Sequence, residues 1–255
     1  MNRSFISVVI TNQPLAVSGY FTLTVSVDSN MPIPMPGQFC MIKIPYSLDP
    51  ILGRPLCVFD FEQGLMTFLV RIMGRGTALL SKLTAGDKVS ILGPLGNGFP
   101  IVKNSQLPII VVGGMGIASL YMFIKKYGAS ALFYGAKTAS ELIFLDDIKK
   151  NCDNLFISTD DGSAGVKGGI LDSLERYIAA INSNRLIYCC GPHGMYKAMA
   201  ERFDRTGLDI TVSLEERMAC GIGGCLGCVT KTNSNTYSRV CKEGPVFKLN
   251  SISFG

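Results

Sequence analysis

The chain has one histidine, His193, in 255 residues. Histidine is the side chain most often used for acid–base work on a substrate. Lys, Cys, Asp or Glu can stand in for it, but no motif here sets any of them to that task. His193 lies between Pro192 and Gly194 with no evident partner, and reads as a turn residue near a ligand rather than a catalyst. Long hydrophobic runs are also missing: none reaches the roughly 18 residues of a membrane span. The opening run FISVVI is too short for a signal-peptide core and then alternates as a strand does. A cytoplasmic protein with no membrane partner is therefore expected. No block of Lys and Arg makes a nucleic-acid stripe, and the formal net charge is only +5. That surplus suits phosphorylated ligands better than a polymer. The nine cysteines are an odd number in a chain without an export signal, which argues against a disulfide framework. Internal repeats and low-complexity stretches are absent.

What is present divides into three. At 47% apolar and 17% charged, the length suffices for two ordinary domains or one with an appendage. Residues 1–101 read as β: FISVVI, YFTLTVSV, GQFCMIKI, LCVFDFE, LMTFLVRIM and KVSILGPL are short runs between turn-forming stretches. They predict a small antiparallel barrel or sandwich, interrupted by one helix, GTALLSKL. Residues 102–213 alternate strand and helix: LPIIVVGG, IASLYMFIKKYG, SALFYGA, SELIFLDDIKK, NLFISTDD, GGILDSLERYIAA, RLIYCCGP, GMYKAMAERFDRTG and DITVSLE. Apolar strands alternating with helices predict a parallel sheet covered on both faces. Gly113, Gly162 and Gly191 then fall at carboxyl ends of strands, where such sheets bind ligands. Residues 214–255 have little apolar periodicity and need something else to fold them.

That tail carries the strongest signal. In ACGIGGCLGC, residues 219–228, three cysteines stand at Cys220, Cys225 and Cys228, and Cys241 follows. C-x4-C-x2-C with a distant fourth cysteine is the plant-type [2Fe–2S] spacing. The interleaved glycines let backbone amides approach the sulfur atoms. Zinc also takes four cysteines and is the competing reading, although zinc ribbons usually pair two short knuckles. Cys40, Cys57, Cys152, Cys189 and Cys190 sit in apolar contexts and read as small buried hydrophobes.

Weaker motifs lie upstream. In GRPLCVF an Arg at a strand start can grip a phosphate bidentately, with Pro55 fixing the backbone beside it. In LVRIMGRGTALL a glycine turn opens a helix, with Gly76 and Thr77 where N–H groups can meet a pyrophosphate. VVGGMGIAS matches the dinucleotide pattern G-x-G-x-x-G/A loosely, through Gly114, Gly116 and Ser119. STDDGS puts two carboxylates where an adenosine ribose would lie, which favours NAD(H) over NADP(H). Each alone is commonplace in turns; their order along one chain is informative.

These motifs in that order, with VVGGMGIA, CCGPHGM and the tail SLEERMACGIGGCLGC, resemble one family across nearly the whole chain. It is the electron-transfer subunit of the NAD-linked, two-component dihydroorotate dehydrogenase, within the ferredoxin–NADP reductase superfamily. The resemblance implies an FAD against the barrel, held by Arg54, Pro55, Leu56 and Cys57, by Leu69, Val70 and Arg71, and by Gly76 and Thr77. It implies NAD(H) at Gly113, Gly114, Gly116, Cys190, Gly191 and Pro192, and a [2Fe–2S] cluster on Cys220, Cys225, Cys228 and Cys241. The family usually has a small hydroxyl residue where Cys57 stands; a thiol is a weaker donor and acceptor, so flavin potential or hydride rate is the property put in question. The implied partner is an FMN-containing catalytic subunit that oxidises dihydroorotate in pyrimidine synthesis, in a heterotetramer of two plus two. Two other readings stay open: a stand-alone NAD(P)H reductase serving another acceptor, and a zinc-stabilised binding module.

Overall fold

The structure, a computed structural model, describes residues 4–45, 49–101, 107–181, 186–203 and 206–255. The chain forms two compact units. One comprises Met1–Gly98, Glu215–Val229 and Ser238–Pro245; the other comprises Phe99–Leu214, Thr230–Tyr237 and Val246–Gly255. Among the described residues no helix is long and apolar enough to cross a membrane.

The first unit is built on β1 (Ser4–Pro14), β2 (Tyr20–Ser26), β3 (Phe39–Lys43), β4 (Arg54–Cys57), β5 (Asp60–Glu62), β6 (Leu65–Arg71) and β7 (Lys88–Leu95). They make one antiparallel sheet in the order β4-β3-β7-β1-β2-β6-β5. Along β7 every second residue is buried, Val89, Ile91, Gly93 and Leu95, as expected of strands with one face on the core. β4 and β5 are opposite edges of this sheet, yet Val58 and Phe59 alone join them. Val58 N–H donates to Gln38 O beside β3, and Phe59 N–H donates to Thr67 O on β6, both at 2.9 Å. Cys57 and Asp60 are three residue steps apart, at most about 11 Å, so the two edges are drawn together and the sheet curls into a barrel. This corrects the sequence expectation at LCVFDFE, which is two strands rather than one because the chain changes edges in its middle. α1 (Arg75–Leu80) follows β6. The Asn12 side-chain amide donates to Leu80 O at 3.0 Å and Leu83 O at 2.7 Å, which ties the end of the helix to β1.

The second unit contains β8 (Ile109–Gly113), α2 (Ile117–Tyr127), β9 (Ala131–Ala136), α3 (Leu145–Lys149), β10 (Leu155–Thr159), β11 (Val166–Lys167), α4 (Ile170–Ala180), β12 (Leu186–Cys190), α5 (His193–Phe203) and β13 (Asp209–Ser213). The sheet runs β11-β10-β9-β8-β12-β13 and is parallel throughout that order, with one further strand beyond β13. Ile109 through Val112 are wholly buried, as in a strand covered on both faces. From β8 the chain builds outward to β11, then returns to lay β12 on the other side of β8. The strand order therefore reverses between β8 and β12. SELIFLDDIKK is not one helix. It opens as a 3-10 turn, Ala139–Glu141, and Phe144 takes a left-handed φ of +59°, so only α3 is helical. Leu142 and Ile143 are buried and the Phe144 ring meets Tyr121 at 5.5 Å.

The tail makes no third unit. Residues 215–229 and 238–245 belong with the barrel. β14 (Val229–Lys231) and β15 (Tyr237–Arg239) form a two-stranded hairpin. β16 (Val246–Lys248) is the added strand of the α/β sheet, an antiparallel edge with Val212 opposite Phe247. The chain first passes from one unit to the other at 98/99 and 214/215, and crosses again at 229/230, 237/238 and 245/246; the expected boundaries are 101/102 and 213/214, the first of which abuts 102–106, outside the described residues.

Candidate functional site

In the barrel unit the cysteine loop is pressed onto the sheet. A Cβ at Gly221, whose φ is +71°, would lie 2.5 Å from Met41 Cγ on β3, so only glycine fits. The loop turns its N–H groups toward sulfur. Ile222 and Cys225 donate to Cys220 Sγ at 3.5 and 3.4 Å, Gly227 to Cys225 Sγ at 3.4 Å, Cys241 to Cys228 Sγ at 3.4 Å, and Gly223 to Cys241 Sγ at 3.1 Å. The thiols lie nearest one another two and two, Cys220 with Cys225 and Cys241 with Cys228, and Cys220 is also within Coulombic reach of Cys241. Cys220 and Cys225 form the more open pair, Cys228 and Cys241 the buried one. Desolvation opposes ionisation of Cys220, but the N–H donors of Ile222 and Cys225 and the Cys225 thiol outweigh it and hold Cys220 down to about 6. Burial, the hydrogen bond with Cys228 and the Cys228 charge push Cys241 up to about 12.

Among the described residues no three His, Cys, Asp or Glu side chains converge as ligands of a single ion. Four thiols in two pairs, each furnished with backbone N–H donors, fit a two-iron cluster with two thiolates on each iron.

The predicted flavin residues come together around a different feature. β4 holds Arg54, Pro55, Leu56 and Cys57, with Arg54 opposite Ile42 and Cys57 opposite Phe39. The Arg54 side chain lies across Gly76: a Cβ there would stand 2.4 Å from Nη1. Arg54 Nη2 also donates to Leu52 O at 2.7 Å. Thr77 Oγ1 accepts from Met73 N–H at 2.9 Å and Gly74 N–H at 3.3 Å, and donates to Gly74 O at 3.0 Å, which fixes the turn. The helix ladder begins with Ala78 N–H to Gly74 O, so the N–H groups of Arg75, Gly76 and Thr77 precede it. A guanidinium over a turn with leading N–H groups suits a pyrophosphate. Beside it an open cleft of about 490 Å³ is lined by Gly53, Arg54 and Pro55 and by Glu215, Glu216, Arg217 and Met218. Nothing in the composition of EERM marks it in sequence as a cleft wall. Leu69 and Val70 are buried in the barrel core, which leaves their main chain for any ligand, and Arg71 stands 5.5 Å over the Tyr20 ring.

In the α/β unit, Gly113 ends β8 and the 3-10 turn Gly114–Gly116 leads into α2. A Cβ at Gly116 would lie 2.0 Å from the Cys190 carbonyl oxygen, and one at Gly113 would lie 2.7 Å from Pro192 Cδ. These glycines thus draw the turn after β8 against Cys190, Gly191 and Pro192 after β12, at the point where strand order reverses. Gly114 has φ +50°. Ser119 fills the third slot of the fingerprint with its hydroxyl turned back to Gly116 O at 3.2 Å. Tyr196, which the sequence did not flag, is buried here: its hydroxyl accepts Gly191 N–H at 2.9 Å and donates to Ser213 O at 2.5 Å. The His193 ring packs on Phe254 at 5.7 Å. After β10, Asp161 accepts from the hydroxyl and N–H of Ser163 at 2.6 and 2.9 Å, and these bonds hold its carboxyl below the usual range.

With this geometry in view, the chain was compared with known proteins. Residues 215–253 match the iron-sulfur cluster binding domain of dihydroorotate dehydrogenase B. The chain is 35% identical over 252 residues to the dihydroorotate dehydrogenase B (NAD(+)) electron transfer subunit of Bacillus caldolyticus, covering 95% of this chain and 96% of that one. The chain belongs to the family of dihydroorotate dehydrogenase B electron transfer subunits. The member from Clostridium acetobutylicum is 38% identical over 216 residues, 83% of each chain. Among solved structures, this family member superposes on a chain of an NADH-dependent reduced ferredoxin–NADP oxidoreductase with a TM-score of 0.84 at 28% identity, covering 100% of this chain and 92% of that one. A Neisseria gonorrhoeae ferredoxin NADP+ reductase with bound FAD and NADP shares the fold, at a TM-score of 0.63 and 17% identity, over 80% of this chain and 92% of that one. The ferredoxin reductase fold expected from the resemblance is therefore the observed one.

Proposed function

We propose that this chain carries electrons between a partner subunit that oxidises dihydroorotate and NAD+, using FAD and a [2Fe–2S] cluster. The observation that carries the reading is the arrangement of the four cysteines as two N–H-furnished pairs, in the same unit as the Arg54–Gly76 cradle. FAD bound there would join a two-electron carrier to a one-electron carrier. The chain's own residues supply the rest. Arg54 and the N–H groups at Gly76 and Thr77 neutralise the pyrophosphate, and β4 from Pro55 to Cys57 lines the ring system. Gly113, Gly114 and Gly116 with Cys190, Gly191 and Pro192 offer close backbone approach to NAD(H). The ionised Asp161 opposes a ribose 2′-phosphate. Cys220, Cys225, Cys228 and Cys241 hold the cluster, with the Cys220–Cys225 side more open. The partner is read as an FMN-containing subunit in a two-plus-two assembly, working in the cytoplasm in pyrimidine synthesis.

The test is an anaerobic NADH titration of the purified chain followed by visible absorbance and electron paramagnetic resonance. Bleaching of a flavin band together with a reduced [2Fe–2S] signal is expected; a preparation containing zinc and no iron overturns the cluster. Adding the FMN subunit, dihydroorotate and NAD+ to the oxidised chain should then produce NADH. A second reading, a reductase serving another acceptor protein, draws on the likeness to the ferredoxin–NADP oxidoreductase chain. It predicts rapid acceptor reduction with no response to dihydroorotate in the presence of that subunit.

A further inference from the structure

The residues around the inner cysteine pair include an ion pair that cluster ligation does not require. Arg239 donates from Nε to both carboxylate oxygens of Glu243, at 3.1 and 3.0 Å, and Nη2 bonds Oε1 as well. The Arg239 N–H closes the ring onto Glu243 Oε2 at 2.7 Å. The Arg239 carbonyl accepts the N–H groups of Lys242 and Glu243 at 3.0 and 2.9 Å, so the turn that carries Cys241 is organised around this one residue. Its remaining nitrogen, Nη1, donates to Gly223 O at 3.0 Å. Gly223 in turn donates its N–H to Cys241 Sγ at 3.1 Å. Gly223 has a left-handed φ of +84°, which favours glycine, and a Cβ there would crowd Lys242 Cβ at 3.1 Å and Arg239 Nη1 at 3.3 Å. The far side of the turn is anchored to the barrel loop after β7. Asn97 Nδ2 donates to Glu243 O at 2.7 Å, and Asn97 N–H to Gly244 O at 2.6 Å. Arg239 is also within Coulombic reach of Cys241 and Cys228.

We propose that Arg239 is a positioning residue for the Cys228–Cys241 side of the cluster: it fixes Gly223 so that its N–H meets Cys241 Sγ, and its charge, offset by Glu243, sets how readily the cluster accepts an electron. The proposal rests on the four cysteines holding a [2Fe–2S] cluster. Hydrogen bonds to the sulfurs and net local charge are the levers that set such potentials. A positive charge favours the state with one more electron; the carboxylate beside it opposes that effect. Arg239 and Glu243 should therefore act in opposite directions, which a purely structural pair would not do.

The experiment uses the full chain loaded with FAD and cluster, in Arg239→Gln, Arg239→Lys and Glu243→Gln forms. Iron and acid-labile sulfide are measured first. The cluster is then titrated anaerobically at controlled potential with electron paramagnetic resonance as the readout. Arg239→Gln is expected to make reduction about tenfold less favourable, a fall of about 59 mV for a one-electron couple. Glu243→Gln moves the potential upward, and Arg239→Lys restores most of the potential while holding the cluster less firmly. Shifts of the Arg239→Gln and Glu243→Gln variants in the same direction, or no shift in either at full iron content, overturn the proposal. Should Arg239→Gln lose its iron, Glu243→Gln decides: an unmoved potential overturns the proposal and an upward shift supports it. An unmodified chain without iron and sulfide removes the cluster reading itself, an outcome distinct from any of these.

Discussion

Arg54 and Gly76 are far apart in sequence, and each alone would mean little. Their value lies in the absence of a side chain at Gly76, which lets the guanidinium lie over the turn. Lysine keeps the charge but loses the planar fork that grips two oxygens at once. Arg54→Lys is expected to weaken FAD binding about tenfold or more, since a hydrogen bond between charged groups contributes roughly 1.5–3 kcal/mol. Equilibrium dialysis with flavin fluorescence checks it, and an unchanged dissociation constant would remove Arg54 from the pyrophosphate. Cys57, on the same strand, occupies a position where a thiol can do less hydrogen bonding than a hydroxyl.

At the scale of elements, the turn between β8 and α2 is held by backbone rather than by side chains. A methyl group at Gly116 would meet the Cys190 carbonyl, an atom that cannot swing aside. Gly116→Ala should cost about 1–3 kcal/mol, as overpacking generally does, and should weaken NADH binding because β8 and β12 can no longer end side by side. Calorimetry and an NADH titration read both effects; an unaltered melting temperature would show that the contact is easily relieved. Most strands are legible in sequence because burial on one face imposes alternation and burial on two faces gives unbroken apolar runs. LCVFDFE misleads because its pattern is continuous while its partners change at Val58. SELIFLDDIKK misleads because Phe144 sits in a left-handed conformation that no local residue preference announces. The cysteine cluster can be read from spacing alone. The meeting of Arg54 with Gly76, the EERM wall and the buried Tyr196 cannot, since each depends on residues that only folding brings together.

At the scale of the molecule, the chain beyond the last cysteine matters to the unit that holds no cluster. Val246–Lys248 pairs with β13, and Leu249 and Ile252 are buried in the α/β unit. Deleting Val246–Gly255 leaves every cysteine in place yet uncovers a sheet edge and removes these two side chains from the core. Their burial is worth roughly 3–6 kcal/mol together, at about 1.5–3 kcal/mol each. Urea unfolding followed by circular dichroism should show a lowered midpoint, and an undiminished one would refute this account of the terminus. The tail's alternation between units has another consequence. The four cysteines of the proposed cluster lie in Glu215–Val229 and Ser238–Pro245, and Thr230–Tyr237 between them belongs to the other unit. The cluster-bearing part is thus no cassette: a gene fusion cut at one junction would transplant the ligands without their supports, so recombination can exchange it only with pieces of both units.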